Sequence, residues 1–313
     1  MKILFTGGSS FTGYWFIKAL AEAGHEVIAT FTARAADEYQ GIRAERVRML
    51  LEYSKPVFDC TFGQKRFIEV IQDSSSWDLF CHHAANVTNY KSPDFDVGAA
   101  LSANTANAKL VLETLKSAGC HKMVLTGSVF EQNEGMGEQP IRAFSPYGLS
   151  KGLTSEVFQY WCQQYGVGLG KFVIPNPFGP YEEARFTTYL AKTWMQGKKA
   201  GVNTPAYIRD NIHITLLALA YRKFVERLPL DFTYVKANPS GYVESQGAFA
   251  QRFATEMESR LEIPCLLELA DQHVFEEPRV RINSDYIDGG NLGWSDSASW
   301  DELAEHYLKR LRA

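Results

Sequence analysis

Apolar residues fall in short unbroken runs through the first half of the chain, separated by longer stretches of helical spacing. Lys2-Ile3-Leu4-Phe5 reads as a first strand and residues 15–23 as the helix behind it, ended by Gly24. Residues 26–30, 57–59, 79–82, 123–125 and 170–174 read as five further strands, with helical patterns between them, notably over 101–118. Strands that are apolar throughout, alternating with helices, predict a parallel sheet covered on both faces. After Ile174 the rhythm breaks, because Pro175, Pro177, Gly179 and Pro180 cluster in a turn-rich loop. Helices over 187–196, 216–227 and 246–261 then mix with short strands, and residues 232–235 are expected to rejoin the main sheet. The expected fold class is α/β. A Rossmann-type doubly wound parallel sheet takes up 1–175, joined by roughly 210–238, and a smaller C-terminal substrate-binding lobe takes up 176–209 and 239–313.

Two places in this pattern carry chemistry. The first strand runs into Thr6-Gly7-Gly8-Ser9-Ser10-Phe11-Thr12-Gly13 and a helix follows. Strand, glycine turn and helix in that order form a cradle for a dinucleotide pyrophosphate. Gly7 allows the tight turn and Gly13 the close helix packing, while Ser9, Ser10, Phe11 and Thr12 lie along the ligand. Ser10 stands where a middle glycine is usual, so its hydroxymethyl group either bonds the pyrophosphate or narrows its approach. The second place is Tyr147-Gly148-Leu149-Ser150-Lys151. Residues four apart share one face of a helix. There the phenol passes a proton to or from a substrate hydroxyl, and the ammonium lowers its pKa. Together the two elements indicate hydride transfer with a nicotinamide cofactor on an alcohol or ketone.

Other positions complete the candidate site. A hydroxyl on Thr126 or Ser128, at the end of the fifth strand, would face Tyr147 and stabilise developing charge. Asp59, with Cys60 beside it, reaches toward the adenine, and His83-Ala84-Ala85 bring backbone close to the cofactor. Asn104 orients the lysine or a relay water. No carboxylate follows the second strand until Asp37, while Arg34 offers a guanidinium for a 2′-phosphate, so NADP(H) is favoured over NAD(H). His82 and His83 have no third ligand at metal-site spacing, which excludes a zinc site.

Composition narrows the class further. With 45% hydrophobic residues among 313, the chain can bury a sizeable core, and a net charge of −4 gives no footprint for nucleic acid. No apolar run approaches the roughly 20 residues of a membrane span. A first strand starting at Lys2 leaves no room for a signal peptide. The 5 cysteines are scattered without a CxxC pair, as expected of reduced thiols in a cytoplasm.

These motifs resemble the extended short-chain dehydrogenases/reductases, in particular the nucleotide-sugar epimerase/dehydratase group, over nearly the whole chain. The turn at 6–13 is similar to that family's TGGxGFxG, and residues 78–85 to its DxVxHxAA. Ser145-Pro146-Tyr147-Gly148-Leu149-Ser150-Lys151 matches its SPYGxSK. Residues 175–180 resemble its N-x-Y-G-P loop, 209–214 its R-D-x-x-H-V segment, and Leu292-Gly293-Trp294 its C-terminal LGW. The resemblance implies Tyr147 as acid/base, Lys151 as its ribose-binding partner and Thr126 ahead of Ser128 as the catalytic hydroxyl. It implies Asn176 and Arg209 as ligands of a nucleotide diphosphate, with Arg279 or Arg281 as a second clamp. The 4,6-dehydratases of the group carry Asp-Glu after the catalytic Thr, and Gly127-Ser128 stands here instead, which argues against dehydration. The expected activity is NADPH-dependent reduction of a nucleotide-linked 4-keto-6-deoxy sugar; an NAD-dependent sugar 4-epimerase is the alternative, and a non-catalytic cofactor-binding regulator ranks below both. Helices over 101–118 and 152–165 carry more apolar surface than one sheet face covers, and the family often pairs these helices, so a homodimer is expected.

Overall fold

The computed structural model describes residues 1–311 except Ser75, Leu230 and Phe232. The chain forms two compact units: Met1–Glu134, Ile141–Ile174 and Tyr221–Asn238 make the first, and Gly135–Pro140, Pro175–Ala220 and Pro239–Ala313 the second. This moves 210–220 and 135–140 out of the expected core. The cause is the strand Ile208–His213, which pairs with Asn176–Phe178, Tyr242–Ser245 and Val280–Ile282 within the second unit.

The first unit holds β1 (Lys2–Thr6), α1 (Phe11–Glu22), β2 (Glu26–Thr30), α2 (Gly41–Tyr53), β3 (Lys55–Val57), α3 (Lys65–Gln72) and β4 (Leu79–His82). Then come α4 (Val97–Asn104), α5 (Ala108–Ser117), β5 (Lys122–Ser128) and α6 (Pro146–Tyr165). Two further strands, Gly168–Ile174 and Tyr234–Ala237, complete a seven-stranded sheet in which every pairing is parallel. Part of the expected return strand, Phe232, lies outside the described residues. The order runs outward from β1 through β2 to β3 on one side, and through β4 and β5 on the other. The chain therefore reverses direction between β1 and β4, and ligands of open α/β sheets bind at the carboxyl ends of the strands flanking such a point.

Local chemistry moved three boundaries. α1 starts at Phe11, four residues before its expected start, because Ser10 caps it: its Oγ accepts from the Gly13 amide at 3.1 Å. The expected helix over 101–118 is two helices, since Asn107 adopts a left-handed conformation (φ 52°) and its Nδ2 donates to Gly63 O at 2.8 Å. β3 ends at Val57 rather than Asp59, whose φ of 51° takes it off the ladder.

In the second unit the strands named above form a small mixed sheet with Met136–Gly137. Helices Phe186–Met195, Gln246–Leu261 and Asp296–Leu311 enclose an aromatic core of Phe178, Trp194, Phe249, Phe253, Trp300 and Tyr307. No described helix is long and apolar enough to cross a membrane.

Candidate active site

The glycine turn sits at the reversal point. Gly7 has φ +83°, and a Cβ on it would lie 2.7 Å from the Ala84 amide at the end of β4. A Cβ on Gly13 would lie 2.3 Å from Gly7 O. Backbone thus approaches backbone where only glycine fits. The first amides of α1, at Phe11 and Thr12, have no carbonyl partner within the helix and are available to an anion. The turn therefore fits a pyrophosphate. The Ser10 hydroxyl is not aimed along the ligand as expected: it turns back, donating to Gly7 O at 2.9 Å and lying 3.0 Å from His83 Nε2. Thr6, which the sequence reading passed over, is the hub beneath the turn. Its Oγ1 accepts from the amides of His83 (3.2 Å) and Ala84 (3.1 Å) and bonds His82 Nδ1 at 3.0 Å.

α6 delivers the Tyr/Lys pair. Ser145 caps it through the Gly148 amide at 3.2 Å, Pro146 starts it, and Gly166 ends it in a left-handed turn. Lys151 is buried and its Nζ donates to Thr126 O at 2.7 Å. Burial pushes the Lys151 pKa down to about 8; the Glu131 carboxylate opposes the shift and Lys171 adds to it. The Tyr147 ring packs edge-on against Tyr90 and Phe95, at 5.4 and 5.9 Å between centroids. Thr126 Oγ1 meets His83 Nδ1 at 2.9 Å. Ser128 Oγ accepts from the Phe130 amide at 3.2 Å, so both hydroxyls at the end of β5 stand as candidates. Asn104 is buried: its Oδ1 accepts from Asn86 N at 2.7 Å and its Nδ2 donates to Thr154, one turn after Lys151 on α6, at 3.3 Å. It ties the segment after β4 to α6.

Gly127-Ser128, the departure from the dehydratase pattern, has a physical cause. A Cβ at 127 would lie 2.8 Å from Lys171 Cε and 3.2 Å from Glu131 Oε1. Lys171, from the strand Gly168–Ile174, is buried and pairs with Glu131 at 2.6 Å and Glu134 at 2.7 Å. Lys236 adds a bond to Glu134 at 3.0 Å, and Glu131 Oε1 accepts the Ser128 amide at 2.7 Å. Lysine and glutamate side chains thus crowd position 127.

At the adenosine end, Phe31 is buried where a ribose-binding acid was sought, and it stacks on Phe58 at 5.1 Å. Arg34 is exposed, and its guanidinium touches no acid or carbonyl among the described residues; its amide donates to Glu38 Oε2 at 3.0 Å. The arginines that reach the turn come from α2. Arg43 donates to Ser9 Oγ at 3.0 and 2.7 Å, and buried Arg46 donates to Ser9 O at 3.1 Å. The Ser9 side chain is thus held by protein. Asp59 donates its amide to Ala33 O at 2.7 Å. The Cys60 side chain faces the core, and burial pushes its thiol up to about 11.

In the second unit, Asn176 Nδ2 donates to Asp210 O at 3.2 Å. Arg209 is committed to the chain: Nη1 donates to Ile208 O, Pro278 O and Arg279 O at 3.0, 3.0 and 3.2 Å, and Nη2 to Glu277 at 3.1 Å. It does not pair with Asp210, which is buried and accepts from the amides of Gly241 (2.8 Å) and Asn283 (3.0 Å). Arg281 is buried opposite Arg209 in the ladder, whereas Arg279 is exposed with its guanidinium 5.2 Å from the Phe275 ring. Among the described residues no cluster of metal-binding side chains occurs.

Solved structures similar to this chain include the UDP-glucose 4-epimerase of Thermotoga maritima with UDP-glucose, at 18% identity, covering 99% of this chain and 100% of that one with a TM-score of 0.71. The UDP-glucuronic acid 4-epimerase of Bacillus cereus, in complex with UDP-glucuronic acid and NAD, is 15% identical, covers 99% of each chain and has a TM-score of 0.73. The UDP-glucose 4-epimerase of Bifidobacterium longum, with NAD+ and UDP, is 17% identical over 99% of each chain, also with a TM-score of 0.73. No curated protein matches the chain. The family model that matches, over residues 3–229, is that of the NAD dependent epimerase/dehydratase family, and with a glycine turn, a Tyr147/Lys151 helix and a parallel sheet of this order the chain belongs to that family.

Proposed function

We propose that this enzyme interconverts a ring hydroxyl and its ketone on a nucleotide-linked sugar, and that it works as a 4-epimerase with resident NAD(H). The observation that carries the reading is Lys151, buried on α6 with its Nζ on Thr126 O, one helical turn from Tyr147 and at the carboxyl end of β5. When bound, the nicotinamide supplies hydride acceptance and return at the sugar carbon. Tyr147 takes the hydroxyl proton and later gives it back, while the Lys151 ammonium stabilises the phenolate and binds the ribose. Thr126 orients the reacting oxygen. The epimerase reading is supported by the company of UDP-sugar 4-epimerases at full chain coverage and by Glu38, a carboxylate in the loop after β2 that disfavours a 2′-phosphate.

For the diphosphate, Arg279 is the proposed ligand, since it is exposed and Arg209 grips its carbonyl; Arg209 then acts by holding the 277–279 segment in place, with Asn176 and Arg281 behind it. A second reading, NADPH-dependent reduction of a 4-keto-6-deoxy sugar, is favoured by Phe31 in place of a ribose-binding acid and by the exposed Arg34 guanidinium. The enzyme is proposed to act in the cytoplasm, in keeping with five free buried thiols, as a homodimer through α5 and α6. One experiment separates the two activities. Purified protein is denatured and the released nucleotide identified, and turnover of UDP-sugars is followed with and without added NADPH. Released NAD with turnover needing no addition supports the epimerase, and strict dependence on NADPH overturns it.

A further inference from the structure

Two side chains that depart from the glycine-turn pattern or fill its neighbour's variable position meet each other: Ser10 in the glycine place, and His83 after β4. The His83 ring is buried between Phe5 and Phe16, at 5.8 and 5.3 Å between centroids. Its Nε2 lies 3.0 Å from Ser10 Oγ and 2.9 Å from Thr12 Oγ1, and its Nδ1 lies 2.9 Å from Thr126 Oγ1. One imidazole therefore joins the pyrophosphate turn to the candidate catalytic hydroxyl. The charged and titratable groups that face it are Lys151 and His82; both, after burial itself, disfavour a second proton and hold its pKa down to about 3. The ring is neutral and carries a single N–H.

Which nitrogen holds that proton follows from Ser10. Its one hydroxyl proton goes to Gly7 O at 2.9 Å, and it already accepts from the Gly13 amide at 3.1 Å. It has a lone pair to offer His83, and no second proton. A bare Nε2 at 3.0 Å would set lone pair against lone pair, whereas an Nε2–H satisfies Ser10 and Thr12 together. Nδ1 is then the acceptor, and the proton of the Thr126 hydroxyl is committed to it.

We propose that His83 is a positioning residue which fixes the direction of the Thr126 hydroxyl, so that Thr126 meets the substrate as a hydrogen-bond acceptor. Thr126 thereby offers a lone pair to the waiting alcohol, whose O–H turns from Thr126 to Tyr147 for the transfer, and it cannot donate to the ketone without breaking its bond to His83. The inference rests on the proposed reading of Thr126 and Tyr147 as the reacting site. It also gives Ser10 a function beyond capping α1, since a glycine there would leave Nε2 with Thr12 alone.

The test has two arms. Nitrogen-15 NMR of the histidines in the wild-type protein, with His83 assigned through a His83→Asn variant, reads the tautomer without any substrate. A protonated Nε2 and bare Nδ1 are expected; the reverse tautomer, or a doubly protonated ring at neutral pH, overturns the proposal. In the second arm, sugar turnover and NADH affinity are measured for His83→Leu, Thr126→Val and the double variant. His83→Leu is expected to lower kcat by about tenfold or more, with the loss absent in the Thr126→Val background. Equal losses in both backgrounds overturn the coupling and leave His83 a packing residue. Should no nucleotide sugar be turned over at all, the functional reading fails while the NMR arm still decides the arrangement of His83.

Discussion

At the scale of single residues, the motif pair was legible because its spacing is chemistry: a phenol and an ammonium one turn apart, and a turn that only glycine can make. Tyr147→Phe is expected to lower turnover at least about 100-fold while NADH affinity stays within a fewfold, since the phenol handles the proton and its ring keeps packing on Tyr90 and Phe95. Lys151 makes a pH prediction. Its folded pKa near 8 is below the usual 10.5, so the unfolded chain holds the proton more tightly, and stability from this group rises with pH between the two values. Cofactor affinity runs the other way. The ammonium, proposed to bind the ribose, is lost above about pH 8, so the Kd for NADH, followed by fluorescence, is expected to rise there by up to about tenfold per pH unit. Glu131→Gln removes a carboxylate that holds the proton on Lys151 and moves that limb to lower pH; a Kd flat through this range contradicts the assignment. What the sequence hid at this scale were partners distant in the chain. Ser10 meeting His83 and Arg43 meeting Ser9 have no local spacing rule that announces them. For the same reason no local pattern announces the carbonyl partners that Arg209 finds at 278 and 279.

At the scale of elements, the strands of the sheet were readable because burial on both faces leaves an unbroken apolar run, as in Leu79-Phe80-Cys81-His82, where every residue is buried. The breaks were not readable. Asn107 interrupts a helical pattern because Gly63, 44 positions earlier, accepts its amide, and periodicity has no term for that. Lys171 is a different case, a lysine inside a strand that the apolar pattern does announce, with buried neighbours Phe172 and Val173. Its ion pairs with Glu131 and Glu134 make it tolerable, and Glu131 in turn accepts the Ser128 amide at the end of β5, the strand that carries Thr126. Lys171→Met is therefore expected to destabilise the protein by about 3–5 kcal/mol at neutral pH, because it takes the ammonium from buried Glu131 and leaves Glu134 with Lys236 as its remaining ion pair. The direction with pH follows from Glu134, whose pKa the Lys171 ammonium draws below the usual range against the opposing effect of burial. Its stabilising charge is present at neutral pH and is lost as pH falls through the folded value, so the gap between wild type and variant narrows in acid. Urea unfolding at pH 7 and at a pH well below the ordinary carboxylate value of 4.5 measures both quantities; an equal gap at the two pH values contradicts this account.

At the scale of the whole molecule, what is left outside says as much as the core. Phe158, counted in the sequence among the surplus apolar residues of α6, lies fully buried under the sheet and needs no partner. Leu110 on α5 and Tyr160 on α6 do not find cover, with 46% and 55% of their surface exposed, and Leu149 near the start of α6 is 39% exposed. These two helices lie side by side: Lys116 Nζ donates to Tyr165 O at 2.7 Å, the Tyr165 hydroxyl bonds Glu113, and Lys109 stands 5.9 Å from the Trp161 ring. Each helix of the pair thus carries an exposed large apolar residue, and a second copy of the chain is the proposed cover, because a two-fold axis repeats each helix against its mate. Light scattering at micromolar concentration is expected to give about twice the 35.2 kDa chain mass. Placing carboxylates at the two exposed positions, as Leu110→Glu with Tyr160→Glu, would bury unpaired charge in the pair and is expected to give a folded monomer with unchanged circular dichroism. Both residues already face solvent within the single chain, so the fold has no reason to resist the change. A dimer that survives both substitutions would place the contact elsewhere, and a wild-type monomer at that concentration would remove it.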